Sequence, residues 1–492
     1  MQPESDNANP SRVAKNQMRD FSQKTFLWVA AVVVVLLLLH LLPPITIGDV
    51  TLREVNLLSD LSDAPQADQG GIIPLAKPVV APAPDSVQNS KYAHISWPKG
   101  VEPIEDFSAG AAGGMDHFYQ MLDTLRSKSD IGRPVRIAYY GDSFIEGDIL
   151  VEYLREMLQA KFGGYGVGWL DAGNGLNQYK QTIETHSSGM TEFMAMKSGG
   201  YNAQQAGIAE RYYQASAGAN MTFRSRPTLS ATAKGSDGKP LLEFPHTQKW
   251  QSARVYLRTA APVSLQMNVT GGTPETRTLQ ASEKVQKAET RQWMNNVSVG
   301  LSAAATLFGI ALETDNGIVV DNFSMRGSSG ITLSNLSSQM LADFNALRPY
   351  DLVIIQFGTN AISANSGEKH LKWYMEQMDK VVELFKKGYP ETSILVMSTP
   401  DRGARTAQGV GTMKNIEALV SYQRQLAAQH RVAFYSLFNA MGGSGSMAKF
   451  CEQGMGSKDY IHINHKAGQM IAKHIFDSFV AAIEPQEKNK GS

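Results

Sequence analysis

The spacing of hydrophobic and polar positions divides the chain into segments of different character. Residues 25–42, TFLWVAAVVVVLLLLHLL, are almost wholly apolar, whereas residues 60–90 show no periodicity and contain five prolines. From about residue 105, apolar runs such as RIAYY alternate with amphipathic patterns such as DILVEYLREMLQAKF, which predicts strands alternating with helices. Between 175 and 318, segments such as ARVYLRT and VSLQMNV have the period of β-strands separated by turns.

The apolar run near the N-terminus predicts a membrane anchor over residues 26–42, because about 17 apolar residues suffice for a span. Four basic residues precede it: Arg12, Lys15, Arg19 and Lys24. This charge bias predicts a cytoplasmic tail over residues 1–25. A cleaved signal peptide is the alternative, but no small-x-small site follows the run. Residues 43–104 are predicted to be a Pro-rich linker outside the cytoplasm.

Strands that alternate with helices predict a parallel sheet covered by helices on both faces. The all-β texture interrupts this pattern, so the α/β core is predicted in two pieces, 105–174 and 319–485, around a β-sandwich insertion over 175–318. The 46 basic and 46 acidic residues leave no net charge, which gives no support for a nucleic-acid partner. The single cysteine excludes an internal disulfide framework and a Cys-rich metal site.

Candidate catalytic groups follow several of the predicted strands. Gly141-Asp142-Ser143 follows RIAYY, RGSSG (326–330) follows VVDNFSM, Gly358-Thr359-Asn360 follows DLVIIQF, and DYIH (459–462) precedes the last helix. Ligands of an open parallel sheet bind beyond the carboxyl ends of its strands. A serine, an Asp/His pair, backbone amides and an Asn amide at that edge are the groups that acyl transfer requires.

These four blocks resemble the SGNH (GDSL-like) hydrolase family. The resemblance implies a flavodoxin-like, three-layer α/β/α core with Ser143 as nucleophile and with Asp459 and His462 as its triad partners. It also implies an oxyanion hole formed by the Ser143 amide, Gly330 and Asn360, with Gly327 as the lesser match for the glycine. Two departures are the alanine after Asn360, where an acidic residue is common, and the phenylalanine after Ser143.

Further segments, including HFYQML, FGGYGVGWLD and LRPYDLVIIQFGTNA, resemble bacterial peptidoglycan O-acetylesterases with an inserted carbohydrate-module-like β-sandwich. The resemblance implies an esterase that removes O-acetyl groups from a cell-wall or other polysaccharide without a cofactor or metal. Together with the anchor predicted from the apolar run, it predicts a single-pass protein of the bacterial inner membrane with a periplasmic catalytic domain. The partners implied are the O-acetylated glycan and that membrane.

Several alternatives stay open at the level of sequence. The same groups could transfer acetyl to a sugar hydroxyl, or the chain could be an inactive, membrane-tethered glycan-binding protein. Asp142 and Ser143 could simply cap a helix, and Asp459, His462 and His465 could offer metal ligands. Glu146 and Asp148 could touch substrate, although the dipole at a helix N-terminus is enough to explain acidic residues there.

Overall fold

The computed structural model describes residues 71–81, 90–92, 94–128, 130–173, 175–197, 199–226, 243–406 and 409–484, with residues 28, 46–47 and 50–51. The chain divides into two compact units, Met1–Gln69 and Gly70–Ser492. In the first, the short strands β1 (Thr46–Ile47) and β2 (Val50–Thr51) pair in antiparallel fashion. The predicted tail and anchor lie outside the described residues, apart from Trp28. Among the residues described, no helix has both the length and the apolar character to cross a membrane.

The second unit is built on a six-stranded sheet. Its strands are β3 (Ile104–Asp106), β4 (Val135–Gly141), β14 (Ile318–Ser324), β15 (Leu352–Gln356), β16 (Ser393–Met397) and β19 (Ala433–Tyr435). The order is β14-β4-β15-β16-β19-β3, and only the edge strand β3 is antiparallel. The five parallel strands follow the 2-1-3-4-5 order of flavodoxin-like folds. The prediction of an α/β core with a parallel sheet is therefore confirmed.

Helices cover both faces of this sheet. They are α1 (Asp116–Arg126), α2 (Val151–Phe162), α3 (Ser338–Leu347), α4 (Glu368–Gly388), α5 (Ile416–His430), the short α6 (Leu437–Ala440) and α7 (Ser446–Glu452), and α8 (His465–Ile483). Helices α1, α2 and α8 pack with Ile137 and Tyr139 of β4, whereas α3, α4 and α5 pack with Ala138 and Tyr140. Successive side chains of a strand point to opposite faces, so a continuous apolar run serves both layers.

The β-rich region forms one antiparallel sheet of nine strands. They are β5 (Gly168–Leu170), β6 (Ile183–Met194), β7 (Arg211–Ser225), β8 (Trp250–Thr259), β9 (Val263–Val269), β10 (Glu275–Leu279), β11 (Ser282–Met294), β12 (Asn296–Leu301) and β13 (Ala305–Glu313). Its end strands β10 and β11 contact each other, so the sheet curls around its own apolar core. The sequence predicted a β-rich insertion, and the structure agrees. The first strand of this sheet begins at Gly168 and ends before residue 175, where the insertion was predicted to start.

A buried charge cluster joins the β-rich region to the core. Glu313 of β13 is fully buried and accepts hydrogen bonds from Arg136 of β4 (2.7 Å) and from Arg254 of β8. Arg348 pairs with Glu313 at 2.9 Å and with Asp321 of β14 at 2.7 Å. Burial alone would raise the pKa of Glu313, but the three guanidinium groups outweigh it and hold that pKa well below its usual range. The cluster fixes the two regions against each other.

Residues 71–81, within the predicted linker, lie along helix α5 of the core. The backbone N–H of Ile73 donates to Asn415 Oδ1 at 3.0 Å, and that of Ala76 donates to Ser421 Oγ at 2.9 Å. Ile73 itself is buried. This part of the linker segment is therefore packed on the folded unit.

A hairpin follows strand β16 at the carboxyl edge of the sheet. Its strands are β17 (Gly403–Thr406) and β18 (Gly409–Thr412), which pair in antiparallel fashion. The backbone N–H of Gly403 donates to the carbonyl of Tyr460 at 2.8 Å. The hairpin thus contacts the loop that carries the predicted Asp/His pair.

Candidate active site

The turn after β4 presents the hydroxyl of Ser143 at the carboxyl edge of the sheet. The Oγ of Ser143 lies 3.0 Å from Nε2 of His462. The helix-capping alternative finds no support, because the next two helices begin after Ile145 and Leu150 without a side-chain cap; Oδ1 of Asp142 instead closes a local turn by accepting the backbone N–H of Phe144 at 2.9 Å. Ser143 is thereby free to face the imidazole.

The loop before α8 holds the imidazole and its carboxylate together. Nδ1 of His462 lies 2.7 Å from Oδ2 of Asp459, and Oδ1 of Asp459 accepts the backbone N–H groups of Ile461 (2.9 Å) and His462 (3.1 Å). Partial burial would raise the pKa of Asp459, but these hydrogen bonds outweigh it and lower that pKa. Tyr460 adopts φ +57°, and this left-handed residue turns the loop so that both side chains meet. The structure thus brings Ser143, His462 and Asp459 into one hydrogen-bonded chain.

The predicted oxyanion donors differ in how their N–H groups are engaged. Within the part of the chain that the structure describes, the N–H of Ser143 donates to no protein group. The N–H of Gly330 donates to Oγ of Ser328 at 3.0 Å, and Nδ2 of Asn360 lies 3.1 Å from the carbonyl of Ser328 and 3.3 Å from Oδ2 of Asp142. Ser328 therefore accepts from both Gly330 and Asn360 in this unliganded state.

Position 330 favours glycine both because of its backbone conformation and because a side chain there would have no room. It adopts φ +88°, and a Cβ there would lie 2.6 Å from the ring of Phe357. Gly327 also has positive φ but is more open, with Cε of Met196 at 3.9 Å from such a Cβ. Gly330 is thus the glycine packed against Phe357, the residue that ends the apolar run of β15. Its catalytic role stays a prediction.

Asp142 is a second buried carboxylate next to the serine. Its side chain is inaccessible to solvent, and burial raises its pKa from 3.8 to about 6, against hydrogen bonds that favour the ionised form. Asp142 accepts from Asn360, so it orients that amide toward the site. The sequence analysis treated Asp142 only as a capping residue.

Arg402 is a site-edge residue that the sequence analysis missed. Its Nη1 donates to the carbonyls of Thr359 (2.8 Å) and Ile362 (3.2 Å), and the next residue, Gly403, bonds to Tyr460. Burial lowers the pKa of Arg402, an effect partly opposed by Asp459. Arg402 therefore connects the Asn360 loop to the Asp/His loop. The available signal was its position in the loop that follows strand β16, at the same edge as the other blocks.

The sequence predicted that the two acidic residues after Ser143 lie at the N-terminus of an α-helix, and this prediction is wrong. They lie in a one-turn 3-10 helix, Glu146–Asp148, before α2 begins at Val151. Glu146 forms two hydrogen bonds with Arg326, one of them 2.9 Å long. Asp148 is fully buried and accepts from Lys180 at 2.7 Å and from Arg155 at 3.0 Å. Both carboxylates are paired with cations instead.

His465 belongs to no cluster of metal ligands among the described residues, although the sequence left a metal site with Asp459 and His462 open. This residue begins α8 after the N-cap Asn464, and its Nδ1 lies 3.1 Å from Oε1 of the buried Glu152. No group of three or more His, Cys, Asp or Glu side chains in the described ranges could hold a metal ion. His465 is therefore the first residue of α8, and its side chain contacts a carboxylate of α2.

Comparisons with known proteins agree with this architecture. Residues 299–467 match the model of the GDSL-like Lipase/Acylhydrolase family, a range that contains Gly330, Asn360, Asp459 and His462. A comparison with curated proteins gives no match. A solved peptidoglycan O-acetylesterase is 20% identical and superposes with a TM-score of 0.60, covering 77% of this chain and 99% of that one.

Two other solved structures have TM-scores too low to indicate a shared fold. A family two carbohydrate esterase from Cellvibrio japonicus is 11% identical over 52% of this chain and 89% of its own, with a TM-score of 0.18. A family 6 carbohydrate-binding module is 10% identical over 30% of this chain and 93% of its own, with a TM-score of 0.17. The family-model match over residues 299–467 confirms the resemblance to the SGNH (GDSL-like) hydrolases, and the first structure, at 20% identity, shows a shared fold.

Proposed function

We propose that the protein is a serine esterase that removes O-acetyl groups from a cell-wall or other polysaccharide outside the cytoplasm. The observation that carries the proposal is the hydrogen-bonded chain from Ser143 Oγ through His462 to Asp459 at the carboxyl edge of the sheet. The solved peptidoglycan O-acetylesterase supports an acetylated glycan as the substrate class.

In the first step, Ser143 Oγ attacks the acetyl carbonyl carbon while Nε2 of His462 takes its proton. Asp459 holds Nδ1–H of the imidazole, so Nε2 carries the free lone pair, and it stabilises the imidazolium that forms. The imidazolium then gives the proton to the departing sugar oxygen, leaving an acetyl ester on Ser143. Water, deprotonated by His462, attacks that ester and releases acetate. His462 is well exposed to solvent (39%), so water can reach it.

The oxyanion of each tetrahedral intermediate needs preorganised N–H donors. The free N–H of Ser143 meets this need without rearrangement. Gly330 and Asn360 act as predicted only if their N–H groups exchange the acceptors on Ser328 for the oxyanion. Catalytic hydrogen bonds often reach their final geometry only when substrate is bound, so this exchange belongs to substrate binding.

The extracytoplasmic location rests on the apolar run at residues 26–42 and the basic residues before it. We expect alkaline phosphatase fused after residue 60 to be active in a bacterial host, and to lose activity when residues 1–42 are deleted. Equal activity of the two fusions would contradict the proposed anchor.

The esterase proposal is tested by acetate release from p-nitrophenyl acetate and from O-acetylated peptidoglycan. Ser143→Ala should lower kcat on both at least about 1000-fold, because only binding and oxyanion stabilisation remain. The matched control is Ser329→Ala in the neighbouring RGSSG loop, whose hydroxyl has no part in the mechanism. A wild type no faster than Ser143→Ala on both substrates would refute the proposal. Acetylation of added oligosaccharide that outpaces acetate release would identify a transferase instead.

A further inference from the structure

The surface beside Ser143 carries exposed side chains from the β-rich region that the proposed mechanism does not use. Tyr179 has 57% of its surface exposed, and Met196 has 44%. A Cβ on Gly147 would lie 3.0 Å from Cβ of Tyr179, and a Cβ on Gly327 would lie 3.9 Å from Cε of Met196. Tyr179 therefore contacts the turn that follows Ser143, and Met196 contacts the RGSSG loop.

The backbone beneath Tyr179 is held rigidly on both sides. Nδ2 of the buried Asn177 donates to the carbonyls of Asp171 and Gly173, each at 2.8 Å. Nζ of Lys180 forms its 2.7 Å hydrogen bond with the buried Asp148. An exposed aromatic ring on a fixed base offers a flat apolar surface at low entropic cost, because little freedom is lost on binding.

Arg326 places a cation at the same rim. Its side chain is 64% exposed, whereas that of its partner Glu146 is 7% exposed. Nε and Nη2 of Arg326 bind the Glu146 carboxylate, and within the described residues Nη1 donates to no protein group. The Glu146 hydrogen bond raises the pKa of Arg326. Glu146 directly precedes Gly147, whose backbone contacts Tyr179, so Arg326 and Tyr179 contact neighbouring residues of the same turn. One edge of the guanidinium thus remains available for a second carboxylate.

Two neighbours of Arg326, its ion-pair partner Glu146 and the preceding residue Met325, are hydrogen-bonded to the nucleophile's turn. The N–H of Glu146 donates to the carbonyl of Ser143 at 3.3 Å, and the N–H of Met325, beside Arg326, donates to the carbonyl of Gly141 at 2.9 Å. A group bound at this rim would therefore neighbour an ester positioned for attack by Ser143.

We propose that Tyr179 and Arg326 form a subsite for a carboxylate-bearing sugar next to the acetylated position. The ring of Tyr179 stacks on the pyranose, and the free edge of Arg326 binds the carboxylate. The inference rests on the proposed function and deepens it, since it assigns the substrate to the acidic O-acetylated glycans. It also gives the inserted region a direct part in substrate selection.

The test measures binding to the full-length Ser143→Ala protein by titration calorimetry. The probes are O-acetylated peptidoglycan strands freed of peptide, with their lactyl carboxyl groups either free or amidated. Arg326→Gln should weaken binding of the free-acid strands about 10-fold and of the amidated strands less than about 2-fold. A variant that merely loosened the loop would lose both probes equally, and that result would overturn the subsite.

The ring of Tyr179 is tested separately. Tyr179→Ala should weaken binding of both probes about 5- to 10-fold, whereas Tyr179→Phe keeps the ring and should retain most of the affinity. Trp293→Ala is the matched control, because Trp293 is 53% exposed but contacts Tyr165, which lies near the start of β14 at the opposite edge of the sheet. Equal losses in Tyr179→Ala and Trp293→Ala would overturn the proposal.

Binding and catalysis fail in distinguishable ways in these experiments. If the wild type releases no acetate but binding depends on Tyr179 and Arg326 as stated, the esterase proposal falls and the subsite stands. If acetate is released in a Ser143-dependent manner while neither substitution changes binding, the subsite falls and the esterase stands.

Discussion

The buried carboxylate of Asp142 should make the protein less stable as pH rises. An aspartate whose pKa is lowered on folding has the opposite effect. Burial raises its pKa from 3.8 to about 6, so between these pH values the folded protein binds a proton that the unfolded chain has lost. Stability then falls as pH rises through this window. A pKa change of this size corresponds to about 3 kcal/mol, of which about 2.4 kcal/mol is lost between pH 4 and pH 7 because pH 4 already lies above the unfolded pKa.

Asp142→Asn removes this titration. The free energy of unfolding of the variant, minus that of the wild type, should therefore rise by about 2.4 kcal/mol between pH 4 and pH 7. A constant penalty of about 1–3 kcal/mol accompanies it, because the new amide donates where Nδ2 of Asn360 needs an acceptor. The same mismatch should lower kcat about 10-fold.

The assay is urea denaturation at half-unit pH steps, followed by fluorescence. The exposed Asp130 provides the control, since Asp130→Asn should keep the wild-type pH dependence. Subtraction of the two curves removes the contribution of every other titrating group. A stability difference between Asp142→Asn and the wild type that is flat from pH 4 to pH 7 would refute the reasoning.

Three further substitutions address the site and its support. Asp459→Asn should lower kcat on p-nitrophenyl acetate about 10⁴-fold with little change in KM, because the imidazole then takes the wrong tautomer; steady-state kinetics would show a much smaller loss if the carboxylate is dispensable. Gly330→Ala should cost more activity and more thermal stability than Gly327→Ala, since both have positive φ but only the first places a methyl against Phe357; equal effects in calorimetry and acetate release would contradict this. Arg348→Met should destabilise the protein by about 3–5 kcal/mol in urea, because it leaves the buried Asp321 without its cation and removes one of the three cations of Glu313; a loss below about 1 kcal/mol would show that the cluster relaxes.

The parallel sheet could be predicted from the sequence because each of its long strands is apolar on both faces. RIAYY became β4 (Val135–Gly141) and DLVIIQF became β15 (Leu352–Gln356), and their ends located the site. The antiparallel edge strand β3 (Ile104–Asp106) escaped, because three residues, two of them acidic, carry no periodic signal. It exists because it pairs with β19, a contact that local sequence does not encode.

The sequence motifs identify the groups of the candidate site but not the partners that hold them. The positions of Ser143, His462 and Asp459 follow from strand ends and one loop, but the buried pairing of Asp148 with Lys180 depends on a contact across 32 residues. The same holds for Arg326 and Glu146, which lie 180 residues apart. Tertiary packing determines such partners, and the local sequence does not reveal them. The sequence therefore suggested a helix-dipole interpretation for Glu146 and Asp148, which is wrong.

Strands β4 and β14 are neighbours in the sheet, paired from Val135 with Ile318 onward, yet the entire β-rich region separates them in sequence. Pairing these two strands closes a long loop and therefore costs much chain entropy. Folding is slow because this entropy is lost before the stabilising contacts form. A β-rich region that has already collapsed shortens the effective loop and brings the two ends together. We therefore expect the insertion to fold first, and the nucleophile turn and the RGSSG loop to form together after it.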